Sequence, residues 1–348
     1  MHRRLIILLG VVLAALSACA GPAALPLPST QSAAASLAPQ QSGSLDKVKL
    51  SLSNYAAVYT PFLAAIDKGY YKEQGLDVEI VIAVGGLAVP ALLAGEIPYT
   101  ASAASAMGAI IKGAPLKVIY TNADRSVQQL WAAPDIKTLE DLKGKTIGVN
   151  SRGDSNELTV RMLLDQKHID QSTIAYTALG SSSGSVVALQ SGAVPAAVVG
   201  TSFVGQLQKS GYKGHMLYDL VQVQLLYNGL ATSNKELQEH HDRAKKLMYA
   251  TMQGREYFKA FKDESVRILV GYAKQPPEDM AQDYDTTRIA MTEDGSMPVE
   301  AQRQDALVRA TLLQLPVGEI PPMEQMYDYS LVRQAYQELK SRGWKPQK

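Results

Sequence analysis

A short apolar stretch near the N-terminus, from Leu5 to Ala18, follows the cations Arg3 and Arg4. It falls short of the roughly 20 residues a membrane-spanning helix needs, so 1–18 reads as a cleaved export leader. The segment over 19–47 is rich in Ala, Pro, Ser and Gln with few large apolar side chains, and it reads as a flexible tether. The pattern then becomes that of an alternating chain. Val78, Ile80 and Ile82 alternate with Asp77 and Glu79, the period of a half-buried strand. Strands are predicted over 48–53, 76–82, 99–101 and 116–120, with helices over 61–71, 89–94 and 104–112 between them. Pro61 suits a first helical turn, and Gly75, Gly95 and Gly113 close segments.

The same order recurs further on, with strands predicted over 145–149, 174–177 and 196–199 and helices over 155–167 and 185–190. Lys47, Val48, Lys49 and Asn54 are matched 96 positions later by Lys143, Gly144, Lys145 and Asn150. Ala91, Leu92, Gly95, Ile97 and Pro98 are matched 97 positions later by Ala188, Leu189, Gly192, Val194 and Pro195. Matches in one order at a nearly constant offset indicate two lobes built on one plan. A further strand is predicted over 224–232, followed by helices over 235–262, 264–272, 278–289, 299–313 and 330–341. The expected division is one lobe from 48–134 and 223–348, clothed by the C-terminal helices, and a second from 135–222. Strand and helix in alternation predict an α/β fold in which each lobe is a mainly parallel sheet flanked by helices.

Composition narrows the partners. Lys and Arg total 34 against 33 Asp and Glu, which gives no support to a nucleic-acid or polybasic membrane surface. Cys19 is the single cysteine, so the body is expected to carry no disulfide. It stands directly behind Leu16-Ser17-Ala18, and Leu-Ser-Ala-Cys resembles the lipobox of bacterial lipoproteins. That resemblance implies acylation at Cys19 and a membrane anchor on an extracytoplasmic body, in the periplasm or on the outer cell surface.

No catalytic set emerges. Gly180-Ser181-Ser182-Ser183-Gly184 lacks the Lys-Ser or Lys-Thr that completes a phosphate-binding loop. His168, His215, His240 and His241 show no metal-ligand spacing, no Gly-x-Ser-x-Gly occurs, and no cofactor or metal is expected.

The segment from Pro61 to Val78, reading Pro-Phe-Leu-Ala-Ala-Ile-Asp-Lys-Gly-Tyr-Tyr-Lys-Glu-Gln-Gly-Leu-Asp-Val, resembles the opening signature of ABC-importer solute-binding proteins. The group in question handles nitrate, taurine, alkanesulfonates and thiamine pyrimidine precursors. Asp141-Leu142-Lys143-Gly144-Lys145-Thr146-Ile147-Gly148-Val149 resembles the start of its second lobe, and Ala188-Leu189-Gln190-Ser191-Gly192-Ala193-Val194 a later helix-turn. The resemblance implies a two-lobed periplasmic-binding-protein type II fold with a ligand cleft, a small-molecule ligand and an ABC permease as partner, and a monomer. Pro98 and Pro195 stand where that family usually has Asp, a departure that suits strand starts and bears on the substrate class.

Ligands of open α/β sheets sit beyond the carboxyl ends of the strands, near helix N-termini. The loops there hold Asn54, Tyr55, Gly85, Gly86, Ser102, Ser105, Asn150, Arg152, Asp154, Ser182, Ser183 and Thr201, and the crossings between lobes add Arg125 and Asn228. Each Ser or Asn is either a helix cap or a ligand contact. Arg125 and Arg152 either meet an anion or stay solvated, and Tyr55, Tyr227 and Trp131 either stack on a ring or pack. The expected ligand is a small carboxylate or sulfonate, with a pyrimidine-like heteroaromatic as the alternative. The expected role is capture and delivery to an importer; a pyrimidine-precursor or menaquinone-type enzyme of the same fold, or a ligand sensor, are the rivals.

Overall fold

Two five-stranded sheets carry the chain in the computed structural model, which describes residues 44–83 and 87–348. The leader, Cys19 and the tether up to 43 lie outside the described residues, as do Gly85 and Gly86. Ser44–Lys348 forms one unit.

The first sheet begins with β1 (Asp46–Leu52), β2 (Leu76–Ile82), β3 (Tyr99–Thr100) and β4 (Leu116–Arg125). Helices α1 (Thr60–Asp67), α2 (Tyr70–Glu73), α3 (Ala88–Ala94) and α4 (Ala103–Ile111) connect them. The chain then enters the second sheet through β5 (Gln128–Ala132), followed by β6 (Thr146–Val149), α5 (Ser155–Gln166), β7 (Ala175–Ala178), α6 (Ser182–Gln190), β8 (Ala196–Gly200), α7 (Thr201–Lys209) and β9 (His215–Asp219). It returns to the first sheet as β10 (Gln224–Ser233). Seven helices end it: α8 (Asn234–Glu239), α9 (His241–Ala260), α10 (Lys262–Ala273), α11 (Pro277–Ala290), α12 (Val299–Leu312), α13 (Met323–Met326) and α14 (Ser330–Ser341).

The sheets share a plan. Their orders are β2-β1-β3-β10-β4 and β7-β6-β8-β5-β9. In each, one strand, β10 or β5, runs antiparallel to both neighbours while the other four run together, so each sheet is mixed but mainly parallel. Gly95 and Gly192 fall at equivalent helix ends with φ of 76° and 71°, backbone that a Cβ would strain. Pro98 and Pro195 directly precede β3 and β8, where a missing N–H costs least.

The pattern misplaces several boundaries. The helix expected over 61–71 breaks at Gly69, whose φ of 77° ends α1 and starts α2. The helix expected over 235–262 breaks at His240 and Phe261, both off helical backbone. Strands β5 and β9 and helix α7 have no counterpart in the sequence reading. The C-terminal helices also reach beyond the first sheet. On α11, Glu278 pairs with Lys209 of α7 at 3.0 Å, and Asp279 comes so close to Gly205 that a Cβ there would sit 2.0 Å from its Oδ1. Val308 and Leu312 of α12 pack against the core of the second sheet.

Burial explains these contacts. One apolar cluster joins β1, β3, β4 and β10 to α1, α4, α9 and α14, with Phe62, Tyr120 and Leu247 inaccessible to solvent. Two more, one holding Ile147 and Leu163 and the other Val186 and Val199, cover the second sheet. Each fully buried side chain of this size contributes about 1.5–3 kcal/mol of transfer free energy, so the short strands are held by their coverings more than by their ladders.

Candidate functional site

The carboxyl ends of the two sets of parallel strands face each other through a chain of polar contacts. At the first sheet, Ser53 and Ser102 share a hydrogen bond of 2.7 Å beyond β1 and β3. Ser102 also bridges to Gly229. The carboxamide of Asn228, 2% exposed, donates to the Ala101 carbonyl at 2.9 Å. At the second sheet, Gln128 stands opposite Gly200 in the β5–β8 ladder, and the Ser182 hydroxyl accepts from the Gly200 N–H at 3.1 Å. Gln128 then crosses to the other side, donating to the Tyr227 hydroxyl at 2.8 Å.

Asp283 of α11 makes a second crossing. One carboxyl oxygen accepts from the Ala57 N–H at 2.8 Å, and the other accepts from the Thr201 hydroxyl at 2.8 Å. Ala57 follows the end of β1 and Thr201 the end of β8, so one carboxyl group ties both rims. Burial raises its pKa above the usual carboxylate value, and the two donors only partly offset that. Burial likewise pushes the Tyr227 hydroxyl up, and it stays a neutral hydrogen-bonding group.

The predicted residues divide. Ser102, Ser182, Thr201 and Asn228 are buried at this junction. Asn150 ends β6 half-buried, its backbone carbonyl accepting from Gly180, with a side-chain oxygen that has no donor. Asp154 is the cap of α5: it accepts from the backbone of Ser151, Asn156 and Glu157 at 2.8, 3.0 and 3.0 Å. Arg152 grips Glu157 at 2.8 Å and the Tyr176 carbonyl at 3.0 Å, sharing that carboxylate with Arg161 at 2.8 Å. Burial works against ionisation of Glu157, but Arg152, the Gly153 N–H and Arg161 outweigh it and hold the carboxyl below its ordinary range. Arg125 is half-buried at the end of β4, with no acidic partner among the described residues. Asn54, Ser105 and Ser183 are exposed. Tyr55 stacks on Tyr272 with ring centroids 5.4 Å apart. Trp131 is buried in the core of the second sheet, its indole donating to Gln129, which assigns it to packing.

Gln128, Asp283, Ser53 and Tyr227's hydroxyl complete the junction, and of these the sequence reading named only Tyr227. Asp283 carried a usable signal. It lies on the stripe of Met280, Tyr284 and Thr287 that α11 buries, and a carboxylate on a buried stripe needs a partner. A cavity of about 620 Å³ opens elsewhere, between α12 and the 317–333 segment, and is lined by Arg303, Leu307, Ile320 and Arg333; no rim residue touches it. Among the described residues, no cluster of three or more His, Cys, Asp or Glu is arranged to hold a metal ion.

Two similarly built sheets joined at their carboxyl ends have the fold of periplasmic binding proteins. A model of the family described as NMT1/THI5 like matches residues 56–265, more than half of the chain, and the protein belongs to that family. The fold resembles the periplasmic sulfonate-binding protein SsuA of the ABC transporter of Methylobacillus flagellatus KT, with 18% identity over 87% of this chain and 98% of that one, TM-score 0.67. It resembles the periplasmic nitrate-binding protein NrtA of Synechocystis PCC 6803 similarly, with 17% identity over 85% and 89%, TM-score 0.68. The desulfurization enzyme DSZB also shares it, with 14% identity over 84% and 99%, TM-score 0.61. No curated protein matches the chain by sequence.

Proposed function

We propose that this protein is an extracytoplasmic solute-binding lipoprotein, anchored through Cys19, that closes two lobes on a small organic ligand and delivers it to an ABC importer. The observation that carries the reading is the pairing of rims: Tyr227 of the first sheet meets Gln128 of the second, and Asp283 ties Ala57 beyond β1 to Thr201 beyond β8. Such a junction gives a ligand contacts to both sides at once, and a permease can distinguish loaded from empty receptor only if ligand favours one arrangement. The sulfonate- and nitrate-binding structures of the same fold support transport. Among the described residues no helix is long and apolar enough to cross a membrane, which fits a body held by a lipid.

Thermal denaturation across carboxylates, sulfonates and nitrogen heterocycles tests this, because a bound ligand raises the midpoint by mass action. Asn54→Ala and Asn150→Ala, at equivalent strand ends, should each reduce that rise; a rise unaffected by both would move the site elsewhere. Similarity to DSZB favours one rival, an enzyme of the same fold, which release of product from any stabilising compound would establish.

A further inference from the structure

The cavity of about 620 Å³ between α12 and the 317–333 segment has walls fastened to the first sheet. On one side, Asp305 of α12 accepts from the Leu226 N–H of β10 at 3.1 Å, and Arg309 donates to the Leu226 carbonyl at 2.9 Å. On the other, the Asp328 N–H donates to the Val118 carbonyl of β4 at 2.9 Å, and the Tyr329 and Thr121 hydroxyls share a hydrogen bond of 2.6 Å. Lys117 donates to the Glu324 carbonyl at 2.9 Å. Pro321 and Pro322 stiffen the chain where it enters α13. The space is therefore preformed, and its volume falls within the roughly 300–1,000 Å³ of small-molecule pockets.

The lining combines two chemistries. Leu307, Val317, Ile320 and Met323 present apolar surface, with Val317 63% exposed. Arg303 of α12 and Arg333 of α14 are exposed, and neither guanidinium has an acidic partner among the described residues. Arg333 lies over the Tyr329 ring, 5.9 Å from its centroid. Acids offset little of this charge: Glu324 is the one acid in the lining and is exposed, and Asp305 is committed to Arg309 at 2.7 Å. Tyr327 lines the same space 5% exposed, and its hydroxyl is buried without a hydrogen-bond partner. Burial, with Asp305 nearby, keeps that hydroxyl protonated, so it has a proton to donate. A buried hydroxyl left unpaired is costly, and guanidinium groups beside an apolar wall suit an anion with an apolar body.

We infer that this cavity is a second ligand site, apart from the junction between the sheets, for a small amphipathic carboxylate. Arg303 and Arg333 meet the carboxylate, Tyr327 offers it a donor, and Leu307, Val317 and Ile320 take the hydrocarbon body. The site does not depend on what the junction binds. Titration calorimetry of the purified protein with octanoate, octanamide and acetate separates the contributions of charge and chain. Octanoate should bind about tenfold more tightly than octanamide, its neutral counterpart, and more tightly than acetate. Arg303→Gln and Arg333→Gln should each weaken octanoate about threefold, the size expected of an exposed charge pair, and together about tenfold. Tyr327→Phe should weaken it about threefold while leaving the unfolding midpoint without octanoate unchanged or higher, because the hydroxyl it removes has no partner. Equal affinity for octanoate and octanamide, no loss in the double arginine variant, or no octanoate binding to protein that unfolds cooperatively would overturn the site. Octanoate binding abolished by Gln128→Met and kept in the double arginine variant would overturn it too, by moving the ligand to the junction.

Discussion

Replacing Asp283 separates two roles of a buried carboxyl group, acceptor and charge. The side chain is fully enclosed, and its oxygens take the Ala57 N–H and the Thr201 hydroxyl, each at 2.8 Å. Asp283→Ala leaves the Ala57 N–H unpaired, while the Thr201 hydroxyl keeps the Val127 carbonyl at 3.2 Å. At about 1–3 kcal/mol for a buried group left unpaired, the loss is about 1–3 kcal/mol. For a body of this size, near 2 °C for each kcal/mol, the unfolding midpoint falls by about 2–6 °C. Asp283→Asn behaves differently. Its oxygen accepts from Ala57, its nitrogen donates to Thr201, and the Thr201 hydroxyl turns to the Val127 carbonyl it already approaches at 3.2 Å. Every group is then satisfied, so the Asn variant should lie within about 1 kcal/mol of the parent. The pH dependence carries a sign. With its folded pKa raised above the unfolded 3.8, the carboxyl binds its proton more tightly in the native state. The parent therefore loses stability relative to Asp283→Asn as pH rises from 3.8 through the folded value, and the difference levels off above it. Urea unfolding of the three proteins at pH 4 and pH 8 measures this. An Asn variant as damaged as the Ala variant, or a difference that grows in the opposite direction, would refute the reasoning, because the negative charge itself would then be stabilising.

Other parts of the framework make equally direct predictions. Glu157 is 2% exposed and held by Arg152, Arg161 and the Gly153 N–H; Glu157→Gln should cost about 2–4 kcal/mol at neutral pH. Because its pKa is depressed, that difference should shrink as pH falls below the unfolded value of 4.5, and a pH-independent cost would contradict the pairing. Arg309 pairs with buried Asp305 at 2.7 Å and donates to the carbonyls of Ala104 and Leu226. Arg309→Met should cost about 3–5 kcal/mol by stranding Asp305, and Asp305→Asn in the same chain should recover part of it. A Cβ on Gly254 would lie 2.1 Å from the Pro61 carbonyl, where α9 crosses α1. Gly254→Ala should lower stability by about 1–3 kcal/mol, whereas Gly271→Ala, with nothing within 4 Å, should not, and equal effects would argue against that close approach.

Much of this framework was legible because local chemistry and tertiary position agree. Alternation at Val78, Ile80 and Ile82 marks β2, and the equivalent glycines 95 and 192 end equivalent helices. Strand β5 escaped because Gln128-Gln129-Leu130-Trp131-Ala132 is enclosed between β8 and β9 and shows no alternation. Helix α7 escaped because Thr201, Ser202 and Gly205 have modest helix propensity; α11 packing onto Gly205 supplies what the local sequence lacks. At the site, strand-end logic singled out Ser102, Ser182 and Thr201, and the crossing between lobes singled out Asn228, all four of them buried. It did not reveal that Glu157 holds Arg152 or that Asp154 serves as a cap, since both depend on how α5 begins. Gln128 and Asp283 lie outside every strand-end loop, and only the meeting of the two sheets gives them partners.

In the proposed receptor these rims form one ligand site whose occupancy draws two lobes together. Small-angle scattering of the purified protein, with and without a solute that raises its thermal midpoint, tests this most directly. A smaller radius of gyration is expected in the presence of that solute, with the change lost in Gln128→Met. An identical radius in both states, for a solute shown to bind, would contradict it.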